Sequence, residues 1–286
     1  MKYQLREILY FLFNKIPTTI IGKLKGNLVK VHWDRGLNNF GDCLQPATLK
    51  YYGLTPVYVS SKEKADVILA GSILQDVPKE YSGFIIGTGG DKKIYSFPKA
   101  EIIAVRGNLT KSNLAIMNDK DVLLGDAGIL MPLIYPNKEK KIYDLGIIPH
   151  FVDRDESIIR IWKQRFTNTI IINVLEKPEI VIKQIKQCKN ISSSSLHGLI
   201  IAEAFEIPTL WLFFQKLLDK EDFYSYKFYD YYSSLNYKPK KYIPTGDETK
   251  EILINMATIK PKEKIDKLIE GLDRKMKEFS SIIKLR

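Results

Sequence analysis

Residues 65–107, ADVILAGSILQDVPKEYSGFIIGTGGDKKIYSFPKAEIIAVRG, hold three short apolar runs, each followed closely by glycine. Continuous Val- and Ile-rich runs bounded by turn residues mark strands buried on both faces of a parallel sheet. The same rhythm extends upstream through LVKVHW (28–33) and TPVYVS (55–60), with a helical stretch between them. It predicts an α/β architecture.

The rhythm is interrupted by MPLIYPNKEKKIYD (131–144), rich in proline and lysine, and then resumes. Strand-like LGIIPH (145–150), TIIINV (169–174), NISSSS (190–195) and IPTLWLFF (207–214) alternate with helical ESIIRIWKQRF and PEIVIKQIKQC. From Thr249 onward the spacing is helical, with a break near Pro261. The expected organisation is two Rossmann-like domains, 1–138 and 139–286, facing each other across a cleft at the carboxyl ends of their strands.

Composition limits the function classes. With 45% hydrophobic and 27% charged residues the chain is globular. Cys43 and Cys188 are far apart and belong to no CxxC or Cys/His cluster, so the pattern suggests neither a disulfide framework nor a metal site, and a reducing cytoplasm fits. A net charge of +11 favours anionic ligands or surfaces. No nucleic-acid-binding motif accompanies it, which argues against nucleic acid as the partner. The first 26 residues are apolar and basic, with Glu7 the one acid. They are too interrupted to span a bilayer, and read either as a helix packed on the domain or as an amphipathic segment lying on a membrane.

Several positions can carry chemistry. In VHWDRGLNNFGDCLQPATLKYYG (31–53), a strand passes through Asn38, Asn39 and Gly41 into a helix, with Asp42 and Gln45 spaced as a capping box and Gly53 as the stop. Such a loop either caps its helix or offers N–H groups to a phosphate or carboxylate. Ser72, Thr88, Gly89 and Asp126 fall at strand ends along one sheet edge, either as turns or as site residues; no GxGxxG pattern is present. Arg106 follows a strand directly, placed either to grip a carboxylate or to make a structural ion pair. In SSSSLHGLIIAEAFEIPTLWL (192–212), Ser194 or Ser195 should cap a helix whose first turn holds His197. The positive end of that helix favours a neutral imidazole, which suits an acid/base catalyst; packing or capping is the competing role.

Taken in order, NNFGD, GSIL, VRGNLT, LGDAGIL, GIIPH and SSSLHGLIIAEAFEIPTLW resemble the polysaccharide pyruvyltransferase family across residues 28–235. The resemblance implies a fold like that of the GT-B glycosyltransferases, phosphoenolpyruvate as donor with no further cofactor, and a glycan or lipid-linked oligosaccharide as acceptor at the cytoplasmic face of a membrane. It points to His197 and Arg106 as donor residues, with Ser194, Ser195 and Gly198 beside them. Some members read Arg-Leu-His-Gly where this chain has Ser195-Leu196-His197-Gly198, so one donor-binding cation is missing. Lys227, in a stretch read as a late aromatic loop, or His150 and Arg154 would replace it. Asp42 or Asp126 would accept hydroxyl protons. The rival reading is a GT-B glycosyltransferase using a nucleotide-sugar, with Glu203 on a ribose; a glycan-binding scaffold is a third.

Overall fold

The computed structural model describes residues 7–33, 35–36, 39–115 and 121–286. The α/β reading holds: two parallel sheets are present. The first contains β1 (Leu28–Val31), β2 (Thr55–Tyr58), β3 (Val67–Ile68), β4 (Phe84–Thr88), β5 (Glu101–Val105) and β6 (Leu123–Leu124), in the order β2-β1-β3-β4-β5-β6. The second contains β7 (Tyr143–Ile148), β8 (Thr169–Ile171), β9 (Cys188–Ser193), β10 (Thr209–Leu212) and β11 (Lys241–Tyr242), in the order β11-β10-β9-β7-β8. Counted from its own first strand, the first sheet runs 2-1-3-4-5-6 and the second 2-1-3-4-5, so each has a switch point between its first and third strands, where α/β sheets bind ligands.

The helices are α1 (Ile16–Leu24), α2 (Leu44–Tyr51), α3 (Asn108–Ser112), α4 (Met131–Ile134), α5 (Ser157–Arg165), α6 (Pro178–Lys186), α7 (Leu196–Ala204), α8 (Glu221–Ser234), α9 (Lys250–Met256) and α10 (Lys262–Leu285). Central strands such as β4 and β10 are buried along their whole length, as two-sided coverage by helices requires. α7 is buried at every position, which explains why LHGLIIAEA carries no polar stripe.

Three local expectations are corrected. α2 begins at Leu44 behind Cys43 with no side-chain cap, and the Gln45 amide donates to the Asp42 carbonyl (3.3 Å), so there is no capping box. Gly53 does sit just past the helix end, at φ +74°, a conformation that glycine adopts freely. The aromatic stretch read as a late loop is the fourteen-residue α8. Tyr and Phe are weak helix formers, so α8 owes its form to burial of Phe228, Asp230, Tyr231 and Tyr232 against the rest of the molecule.

One apolar cluster runs through both sheets, from Val29, Ile86 and Met131 to Ile148, Ile200 and Trp211. The last helix adds to this continuity, because α10, although it closes the second half of the sequence, returns to the first sheet. Its Phe279 meets Phe84 edge-on (5.0 Å between centroids), and Ser280 donates to the Tyr52 carbonyl (2.6 Å). Tyr52 in turn donates to Asp273 (2.9 Å).

Candidate active site

β7 and β9 run side by side to Ile148 and Ser193, and the chain that follows each strand builds one wall of a pocket. There the serines bind the turn. Ser194 Oγ accepts from the His150 N–H (2.9 Å) and donates to Asp153 Oδ2 (2.7 Å). Ser193 Oγ donates to the Ile148 carbonyl and accepts from the Ser195 N–H, each at 2.9 Å. Ser195 is the N-cap of α7 by position, but its hydroxyl makes no capping bond, so the expected cap is absent.

The pocket is lined by His150, Asp153, Ser194, Phe213, Tyr224 and Lys227, among others. The cavity is small, about 10 Å³, room for a single water. Side chains must therefore shift to admit anything larger than a single water.

Charge in this pocket is unusual. Burial, with help from the nearby Arg106 charge, pushes Lys227 down to about 8, against a partial counter-pull from Asp153 and Asp42. It remains mostly protonated at neutral pH. Burial first, then the Lys227, His197 and Lys216 charges, push His150 down to about 3, so His150 is neutral. Of the substitutes considered for the missing cation, Lys227 is the one with a charge in the pocket. Arg154 is directed to solvent against Asp155 (3.2 Å). Burial raises the Asp153 carboxyl against the pull of the Ser194 hydroxyl and of Lys216, whose Nζ lies 3.5 Å from Oδ1.

His197 stands where the two halves meet. It is the second residue of α7, with its side chain only 10% exposed. Nε2 lies 3.5 Å from Asp126 Oδ1 and has no hydrogen-bond partner, and Phe40 meets the ring edge-on at 6.3 Å. Gly41 presses on the other side: a methyl group there would lie 2.0 Å from Nδ1, so only glycine leaves room for the imidazole. The role of Gly41 is thus to seat His197. Asp126 is fully buried and accepts from the Gly128 N–H (2.9 Å). Burial alone would raise its carboxyl, but the His197 and Arg106 charges outweigh it and hold Asp126 below its ordinary value.

Arg106 is fully buried at the end of β5. Nε donates to Asp230 Oδ2 (2.9 Å), Nη1 to Ser72 Oγ (2.5 Å), and Nη2 has no partner. Asp230 also accepts from the Thr110 N–H (2.8 Å) and hydroxyl (2.6 Å), so α8 is bonded to the start of α3. Gly89 touches the guanidinium closely enough that a methyl group would lie 2.2 Å from Cζ. The VRGNLT string is therefore largely a docking element: Gly107 leaves space for the Asp230 carbonyl, and Asn108 bonds Ser233 through both its N–H (2.7 Å) and its amide (2.8 Å).

Thr88 and Gly198 serve packing, while Asp42 stays within electrostatic reach of Lys227. Thr88 is buried and donates to the Gly71 carbonyl (2.9 Å). Gly198 lets α7 approach the sheet, its missing side chain replaced by Ser193 Oγ and Ile148. Asp42 lies against Gly71 and Asn39 accepts from the Asp42 N–H (3.1 Å), which keeps that loop beside the first sheet's switch point. Asn38 falls outside the described residues. Two acids were missed in the sequence. Asp153 lies between the two residues singled out in PHFVDR, so its position was available; Asp230 lies 124 residues from its partner, with no local signal. Among the described residues, no group of His, Cys, Asp or Glu could hold a metal ion.

The family model described as polysaccharide pyruvyl transferase matches residues 26–212, which contain β1 to β10. The chain belongs to the polysaccharide pyruvyl transferase family. Among curated proteins it is 34% identical over 168 residues to the uncharacterised protein L143 of Acanthamoeba polyphaga mimivirus, covering 55% of this chain and 56% of that one. It is 26% identical over 186 residues to the succinoglycan biosynthesis protein ExoV of Rhizobium meliloti (strain 1021), covering 62% and 57%. The chain thus spans little more than half the length of these relatives. The crystal structure of a functionally uncharacterised protein of Klebsiella pneumoniae superposes with a TM-score of 0.42 at 14% identity, over 81% of this chain and 99% of that one.

Proposed function

We propose that this family member transfers the pyruvyl group of phosphoenolpyruvate to two hydroxyls of a glycan sugar, forming a ketal and releasing phosphate. The observation that carries the reading is Lys227: a charged, largely desolvated lysine in a pocket at the β7/β9 switch point, in a chain whose LHG motif lacks the preceding arginine. Phosphoenolpyruvate offers a carboxylate and a phosphate, and Lys227 with the unpartnered Nη2 of Arg106 supplies cationic donors nearby. The two halves would face the substrates as in GT-B enzymes, with the Asn39–Asp42 loop on the acceptor side.

His197 is the proton donor in this reading. It protonates the methylene carbon of the enol, and the adjacent carbon takes up the positive charge and is attacked by one sugar hydroxyl. The hydroxyl's proton returns to the imidazole as phosphate leaves, and the second hydroxyl then closes the ketal. Asp126, sealed from solvent beside Nε2, orients the ring instead of accepting a substrate proton. That task falls to Asp153, which lines the pocket with Lys216 Nζ 3.5 Å from its Oδ1. Glu203 does not favour the nucleotide-sugar alternative, because Thr209, Tyr231 and Tyr232 all donate to its carboxylate in the core.

The test is mass spectrometry of glycan acceptors incubated with phosphoenolpyruvate, with free phosphate measured in parallel. A pyruvyl adduct matched by phosphate is expected. Thermal stabilisation by a nucleotide-sugar but not by phosphoenolpyruvate would overturn the reading. pH adds a second check. Lys227 loses its charge as pH rises through about 8, so kcat/KM for the donor falls above that pH, by roughly tenfold per unit. Lys227→Arg should abolish this alkaline fall, and Lys227→Met should raise the donor KM by about a hundredfold at pH 7. A pH profile unchanged in Lys227→Arg would count against the assignment.

A further inference from the structure

The helical N-terminal segment presents a face that the catalytic reading does not use. Residues 7–10 pass through a π-helical turn, Phe11–Lys15, into α1, and within this stretch only Gly22 is buried. Nine large apolar side chains between positions 8 and 24 are exposed. That density is too high for ordinary scattered surface residues. Ile8, Leu12, Ile16, Ile20 and Leu24 recur at every fourth position and form one broad stripe, with Phe13 beside it at 72% exposure and Leu24 at 83%.

The segment is fixed to the sheet by its polar side. Glu7 pairs with Arg35 (2.8 Å), whose guanidinium stacks on Tyr10 at 3.6 Å and faces Tyr58 at 4.8 Å. This neutralises the segment's one acid and clamps the helix against β2. Lys23 and Lys25 remain exposed and make no ion pair among the described residues, while Lys15 lies over the Phe11 ring (6.0 Å). No helix among the described residues is long and apolar enough to cross a membrane.

We infer that this face docks on an anionic phospholipid surface. The stripe enters the headgroup boundary while Lys15, Lys23 and Lys25 meet lipid phosphates. Charge selects this occupant over a second copy of the chain, since two such faces would bring like-charged lysines together with no acid to offset them.

The experiment is co-sedimentation of the full chain with vesicles of phosphatidylcholine alone and of phosphatidylcholine with phosphatidylglycerol. Binding to the anionic vesicles is expected, weakening with salt. Phe13→Glu and Ile20→Glu should each lower it by about tenfold or more, and Lys23→Gln or Lys25→Gln by about fivefold each. Thermal unfolding of the variants should match wild type, because these side chains are exposed. Wild-type protein left in the supernatant, or variants that bind equally, would overturn the proposal. So would light scattering that shows a dimer which Phe13→Glu splits, since the occupant would then be a second copy.

Discussion

His197→Gln should lower turnover by about three orders of magnitude while leaving the unfolding temperature close to that of wild type. Glutamine can occupy much of the imidazole's space and hydrogen-bond locally, but it cannot pass a proton to carbon. The ring has three constraints on its position: the Asp126 carboxylate 3.5 Å from Nε2, the Phe40 edge, and the bare α-carbon of Gly41. None of these contacts contributes enough to folding for their loss to explain a thousandfold effect. Steady-state phosphate release at saturating donor and acceptor is the measurement. Asp126→Asn, acting only through the ring, should retain more activity than His197→Gln, and Gly41→Ala should resemble His197→Gln because its methyl displaces the ring. A loss below tenfold for His197→Gln would remove the histidine from the chemistry.

The other large effect concerns the clasp between β5 and α8. Asp230→Ala leaves the Arg106 charge sealed in the interior and removes the acceptor of the Thr110 N–H and hydroxyl. Breaking one side of a buried ion pair typically costs about 3–5 kcal/mol, because the remaining charge is desolvated without compensation. Urea unfolding should show a loss of that size. The paired change Arg106→Met with Asp230→Leu should recover much of the stability, since neither leaves a charge behind, but it should not recover donor binding. A loss under about 1 kcal/mol in Asp230→Ala would mean that water reaches the guanidinium.

The architecture was legible because buried parallel strands advertise themselves locally: every quoted apolar run from 28 to 214 contains a strand of one of the two sheets. The order of motifs was legible too, and the family match rests on the same stretch. Pairings between distant residues were hidden. Nothing near Arg106 announces Asp230, and nothing in IAEAF shows that Glu203 serves Thr209, Tyr231 and Tyr232 in the core. The α8 helix was misread because its aromatic sequence has weak intrinsic helical preference and takes its form from its surroundings. The serines before His197 follow the same rule: their residue types suit a cap, but a neighbouring strand end claims the hydroxyls of Ser193 and Ser194.

The apolar cluster shared by both sheets, joined by the returning last helix, ties the two sheets together through common packing. Neither sheet can swing away without uncovering oily surface on the other. Room for a ligand in the pocket must then come from movement of its lining side chains, Lys227 among them.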